Sequence, residues 1–149
     1  MTTLERAACE VREQCFCSKL RQASRALTQH YDDAISESGI RSTQFTLLIA
    51  LAQAPLVPLS KLADVLVMDR TTLTRNLTPL VREGLVEEHP AEDRRVRAFA
   101  LSARGRKVLE QAMPGWKKAQ ARMLKSLAAE DVAHLDRILN TAVRAARPA

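Results

Sequence analysis

Thr71, Thr74, Arg75 and Thr78 fall in "DRTTLTRNLTPLVREG" at spacings of three and four residues. At about 100° per residue they share one face of a helix, which Arg82 extends, while Leu73, Leu77 and Leu80 share the opposite face. The first set has the chemistry of a duplex reader. Hydroxyls donate or accept at base edges, and an arginine can take guanine O6 and N7 with two hydrogen bonds. No acidic side chain interrupts that face. Ser60, Lys61, Arg70 and Thr72 complete the candidate DNA-contacting set on this segment, and Asn76 lies off the face and ranks below them. A solvated amphipathic helix would carry similar residues. What weighs against that reading is the segment that follows.

That segment is "DRRVR", Asp93 to Arg97, between the apolar runs "GLVEEH" and "RAFAL". The two runs read as a β-hairpin with a charged tip. A narrow minor groove concentrates negative potential and admits a protruding arginine, so Arg94 and Arg95 are candidate contacts there. Asp93 is expected to brace one of them through a charged hydrogen bond. Arg97 opens the return strand and is expected either to reach phosphate or to pair with Asp93.

These groups need a scaffold. Apolar residues Leu20, Ala23, Leu27, Tyr31, Ala34 and Ile35 form one stripe of a helix over Ser18 to Ile35, which Val11 and Cys15 could extend backward, and Gly39 is placed to stop it. "TQFTLLIALAQAP" reads as a buried helix from Thr43 to Ala54 ended by Pro55, followed by a short extended piece, "LVPL". Two helices follow, Ser60 to Leu66 and Asp69 to Glu83, with Ser60 and Asp69 as N-caps. Pro79 should bend or shorten the second. Val67 occupies the turn position that glycine often holds. A long helix opens at Ser102, with a kink expected at Pro114 and Gly115. A last helix carries Leu135, Ile138 and Leu139 on its apolar face.

The fold class is therefore mainly α with a small β-hairpin wing. It is a winged helix-turn-helix over about 43–101, flanked by N- and C-terminal helices over about 10–36 and 103–147, in one domain spanning 1–149. The flanking helices carry long apolar stripes that a chain of 149 residues has little else to cover, which points to a homodimer.

Composition agrees. Lys+Arg number 23 against 17 Asp+Glu, a formal charge of +6, which calls for an anionic partner without choosing between nucleic acid and a membrane surface. Aromatics make up only 3%, which weakens a single-strand reader built on base stacking. No apolar run approaches the roughly 20 residues of a spanning helix, and the first residues lack a signal-peptide apolar region, so a cytoplasmic protein with no membrane association is expected. Catalysis has nothing to rest on: no glycine-rich phosphate loop, HExxH or GxSxG motif occurs, and no aspartate–histidine–nucleophile set assembles.

The chain resembles the MarR family of winged helix-turn-helix regulators over nearly its whole length. The likeness rests on "TQFTLLIAL", "LSKLADVLVMDRTTLTRNLTPLVREGLV", "EDRRVRAFALSARGRKVLEQA" and the flanking helices. It implies a homodimer whose first and last helices form the interface, with DNA-binding lobes below. It also implies repression relieved by a small aromatic or anionic effector in a cleft between the two parts, or by oxidation. Two-fold symmetry itself would set two recognition helices about 34–36 Å apart, on a pseudo-palindromic double-stranded DNA operator.

Cys9, Cys15 and Cys17 leave three readings open: thiols without a role, thiol oxidation, or a soft metal or iron–sulfur group. On a continuous helix Cys15 and Cys17 point about 200° apart and could not share an ion. The peroxide-sensing branch of the family has a reactive cysteine and a tyrosine at the separation of Cys17 and Tyr31; its second tyrosine falls here at Ser42.

Overall fold

The computed structural model describes residues 1–90 and 97–147. Helices α1 (Thr3–Gln14) and α2 (Phe16–Ile35) are followed by a 3₁₀ turn (Ser36–Ser38) and α3 (Ser42–Leu51). Strand β1 (Val57–Pro58) precedes α4 (Leu59–Leu66) and α5 (Arg70–Arg82). Strands β2 (Val86–Pro90) and β3 (Arg97–Leu101), then α6 (Ala103–Lys125) and α7 (Ala129–Ala146), complete the chain. The fold is mostly helical with a small antiparallel sheet of order β1-β3-β2, in which Val57 faces Phe99 and Val86 faces Leu101. Of the expected extended piece "LVPL", Val57 and Pro58 form the third strand of the wing sheet, and Leu59 already belongs to α4.

The core is where α3, α4, α5, α6 and the sheet meet. Leu48, Leu51, Leu73, Leu80 and Phe99 are fully excluded from solvent, with Leu62 and Leu77 almost so. Helix α3 is apolar on nearly every side because neighbours cover it on nearly every side. It ends at Leu51, earlier than the expected Ala54, with the last turn tightened by a Gln53 N–H to Ala50 carbonyl bond.

Several local expectations are corrected. The first helix neither runs unbroken through Cys15 nor starts at Ser18: Cys15 is extended (φ −70°, ψ 106°), ending α1 and beginning α2. Ser60 is no N-cap. Pairing with β3 holds Pro58 extended, so α4 begins at Leu59 with Pro58 before it and no side-chain cap. Pro79 does not shorten α5, which runs on to Arg82. Helix α6 continues past Pro114 and Gly115, where a kink was expected, to Lys125.

That pair marks an approach between helices. A Cβ on Gly115 would lie 2.1 Å from the Ala34 carbonyl oxygen of α2, and one on Gly105 would lie 2.1 Å from the Leu85 carbonyl oxygen. Both contacts are with backbone, so α6 can lie this close to α2 and to the start of the wing only without side chains at these positions.

Val67 joins α4 to α5 in the left-handed conformation (φ 53°, ψ 44°), the only described non-glycine residue with positive φ. A β-branched residue there is strained by about 1–2 kcal/mol. Part of the relief offered by glycine is lost to the greater freedom of its unfolded chain. Val67→Gly is therefore expected to stabilise the protein by a net ~0.5–1 kcal/mol, raising Tm by about 2 °C. A fall in Tm on a calorimetric scan would show that contacts of the half-exposed side chain outweigh the strain.

Candidate nucleic-acid interface

Helix α5 is seated by its apolar face, with Leu73, Leu77 and Leu80 no more than 1% exposed. That seating fixes its rotation and turns Thr71, Arg75, Thr78 and Arg82 outward, with Thr74 half-buried at the edge. The face expected from spacing is thus presented to solvent as a unit. Asn76 is exposed beside it.

The N-terminus of α5 is built by Asp69. Its Oδ1 accepts the Thr72 amide at 2.8 Å, and its Oδ2 accepts the Thr72 hydroxyl at 2.6 Å. The Thr72 hydroxyl and amide hold the Asp69 carboxyl below the ordinary carboxylate range. Thr72, expected as a DNA contact, therefore commits its proton to this cap, and only its remaining lone pairs face a ligand. The Thr78 hydroxyl likewise donates to the Thr74 carbonyl at 2.8 Å. Arg75 has no such commitment among the described residues and is the group best able to make two outward hydrogen bonds. On α4, Lys61 is exposed and Ser60 half-buried, both in the first turn.

Of the wing residues, Asp93, Arg94 and Arg95 lie outside the described residues. Arg97 is described and forms an ion pair with Glu88 of β2, a residue not among its expected partners. Its Nε and Nη2 donate to the Glu88 carboxylate at 2.5 and 3.0 Å, and the guanidinium lies 5.4 Å from the Phe99 ring centre. Glu88 faces Phe99 across the sheet, so Arg97 reaches it on the diagonal. The pairing holds Glu88 below its usual range and raises Arg97. The pair ties β3 to β2 at the stem of the wing and leaves Nη1 of Arg97 outside it.

Ser102 ties wing and helices together. Its hydroxyl donates to the Gly84 carbonyl at 2.7 Å and accepts the Gly105 amide at 2.9 Å, joining the end of α5 to the start of α6. Glu88 and Gly105 were not singled out from sequence. An isolated glycine inside a helical pattern is a packing signal that could have found Gly105. Glu88 has no comparable mark, because its partner is set by strand register.

The basic lobe is clasped to α2 by Asp32. Its Oδ1 accepts the Ser42 amide at the start of α3 at 2.6 Å, and its Oδ2 lies 3.3 Å from Arg41. Burial opposes its charge, but the bonds from Ser42 and Arg41 outweigh that and lower its pKa. At the far end of the chain, the Arg147 guanidinium donates to the Asp64 carbonyl in the last turn of α4.

Between these parts lies a cavity of about 890 Å³, walled by α2, α3, α6 and α7. Leu135 and Leu139, expected at a dimer interface, line it. Tyr31 also lines it and donates its hydroxyl to Gln120 Oε1 of α6. Cys17 stands 14 residues before Tyr31 on α2, about 21 Å along the axis, so the two cannot meet within one protomer. Cys9 and Cys15 are half-buried and Cys17 exposed. Among the described residues no three histidine, cysteine or carboxylate side chains converge as a metal-binding set. No helix of the described residues is long and apolar enough to cross a membrane.

Comparison with known proteins agrees with this geometry. Residues 40–96 match the model of the MarR family. The transcriptional regulator HosA of Escherichia coli O127:H6 is 30% identical over 114 residues, covering 76% of this chain and 83% of that protein. Among solved structures, the M. tuberculosis transcriptional regulator MosR in complex with DNA superposes with a TM-score of 0.81 at 36% identity, covering 91% of this chain and all of that one. A mutant of E. coli MarR complexed with operator DNA has the same fold, with a TM-score of 0.80 at 24% identity over 89% of this chain and 96% of that one.

Proposed function

Because the chain belongs to the MarR family of DNA-binding transcriptional regulators, we propose that it acts as a homodimeric repressor of a pseudo-palindromic operator, released by a small-molecule effector. The observation that carries this reading is the acid-free outer face of α5, held in fixed rotation by three buried leucines. Two such helices related by a two-fold axis suit successive major grooves about 34–36 Å apart. The solved complexes of similar proteins with DNA support the same mode.

Dimerisation is supported by the outer helices. No residue of α1 or α7 is buried, yet Leu4, Val11, Phe16 and Ile138 are all more than half exposed. Effector release is supported by the cavity, whose walls come both from the flanking helices α2, α6 and α7 and from α3 of the DNA-facing lobe. A ligand there acts only by favouring one spacing of the two recognition helices over another, through its own difference in affinity.

Arg75 provides the test. On a duplex selected from random sequence, Arg75→Ala is expected to cost roughly 1–3 kcal/mol, with a much smaller loss on unselected duplexes. Equal losses in gel-shift titrations on both would reduce Arg75 to a phosphate contact and remove base reading from this face.

A further inference from the structure

The cavity's chemistry narrows what it can hold. Its volume, about 890 Å³, suits a small organic molecule. The walls are side chains such as Leu27, Ile49, Met113 and Leu139, and Phe45 stacks on Trp116 at 6.2 Å with ring planes 19° apart. None of the described residues lining it is a lysine, arginine, histidine, aspartate or glutamate. Polar side-chain groups in the lining are the hydroxyls of Ser24, Thr28, Ser42, Thr43, Thr46 and Tyr31 and the indole N–H of Trp116, all uncharged.

Two of those hydroxyls are already engaged. Thr46 donates to the Ser42 carbonyl, and Tyr31 donates to Gln120. Burial raises the Tyr31 phenol above its ordinary range, so this wall disfavours a negative charge even on its own side chain. An anionic ligand would lose its hydration and find no cation in return, whereas an uncharged one sacrifices only a hydrogen bond that Tyr31 can replace.

We propose that the cavity takes an uncharged, mostly apolar small molecule with one hydrogen-bonding group placed against Tyr31, and that it discriminates against carboxylates. This deepens the effector reading and rests on it only for the consequence on DNA. Between the aromatic and anionic effector classes implied by family resemblance, the walls reject the anionic one. Tyr31 is also placed to report occupancy. A ligand that accepts the Tyr31 hydrogen bond in place of Gln120 loosens the Tyr31–Gln120 link between α2 and α6.

Trp116 is the sole tryptophan of the chain and lines the cavity, so its emission reads binding directly. The probes are methyl 4-tert-butylcyclohexanecarboxylate and the free 4-tert-butylcyclohexanecarboxylate anion, which match in shape and do not absorb with tryptophan. The ester is expected to shift Trp116 emission saturably, and the anion to bind about a hundredfold more weakly or worse. Thr46→Lys, a substitution at the exposed rim, should bring the two within about tenfold by supplying a cation. Equal or tighter binding of the anion to the parent protein would overturn the proposal, as would an unchanged ratio in Thr46→Lys. No saturable response to either probe would also overturn it and would assign the cleft to a protein segment. A parallel gel shift separates the two readings. Ester binding without release of DNA sustains the ligand class and removes the effector role. Release by the anion alone does the reverse.

Discussion

Ile138→Asp is expected to turn the protein into a monomer whose affinity for a full operator falls by about a hundredfold to ten-thousandfold, while binding to an isolated half-site hardly changes. Ile138 is 59% exposed on α7, and Phe16 is 82% exposed at the start of α2. Apolar side chains left this open over two outer helices mark an association surface. Leu135 and Leu139 are poorer probes, because they line the cavity and a charge there would also disturb a ligand. An aspartate at 138 leaves the protomer's own packing intact and places an unpaired carboxylate in the contact between copies. The affinity loss follows from linkage. In a dimer, the second recognition helix meets its half-site at an effective concentration set by the first, and a monomer forfeits that. Light scattering after size exclusion reads the mass, and gel shifts on full and half operators read the coupling. A variant that stays dimeric would move the interface elsewhere, and a monomer with parental affinity for the full operator would remove the two-site account.

Gly115→Ala is expected to destabilise the protein by about 2–3 kcal/mol, against the helix-forming preference of alanine. At a free helical position the same change would stabilise by roughly 1 kcal/mol, because glycine is the poorer helix former. Here the new methyl would lie 2.1 Å from the Ala34 carbonyl oxygen and 3.0 Å from its carbon. Both obstacles are backbone, so α2 and α6 must separate over the length of their contact, and the clash outweighs the propensity. Gly84→Ala is the control: its φ of 70° strains any side chain, but nothing lies within 4 Å of the added carbon. A loss of about 1 kcal/mol is expected there. Chemical denaturation of the two variants checks the order. Gly115→Ala at or above parental stability would mean that the two helices do not approach as closely as described.

The sequence by itself determined the helix-turn-helix, the strands that follow it and the outward polar face of α5. Those rest on local regularities: a leucine every three or four residues, a capping aspartate at Asp69, and two short apolar runs around a charged turn. Such features depend on neighbours along the chain, and the structure places Leu73, Leu77 and Leu80 in the core as their spacing requires. The sequence also carried the excess of apolar surface on the outer helices, because a stripe remains visible whatever covers it.

What it left undecided depended on residues far apart. Pro114 and Gly115 were legible only as a place for a kink; that Gly115 is also a point of contact is shown only by the path of α2 opposite it. Arg97 was expected to reach phosphate or Asp93, and strand register set Glu88 beside it, a partner no local pattern marks. Ser60 has the composition of an N-cap, but pairing of Pro58 with β3 started the helix one residue earlier. Leu135 and Leu139 share a stripe with Ile138, and only the position of α7 relative to α2, α3 and α6 turned two of the three toward a cavity. Local periodicity fixes which residues share a face. Which surface meets that face is decided by backbone paths that converge from distant parts of the chain, and no pattern within one segment carries that information.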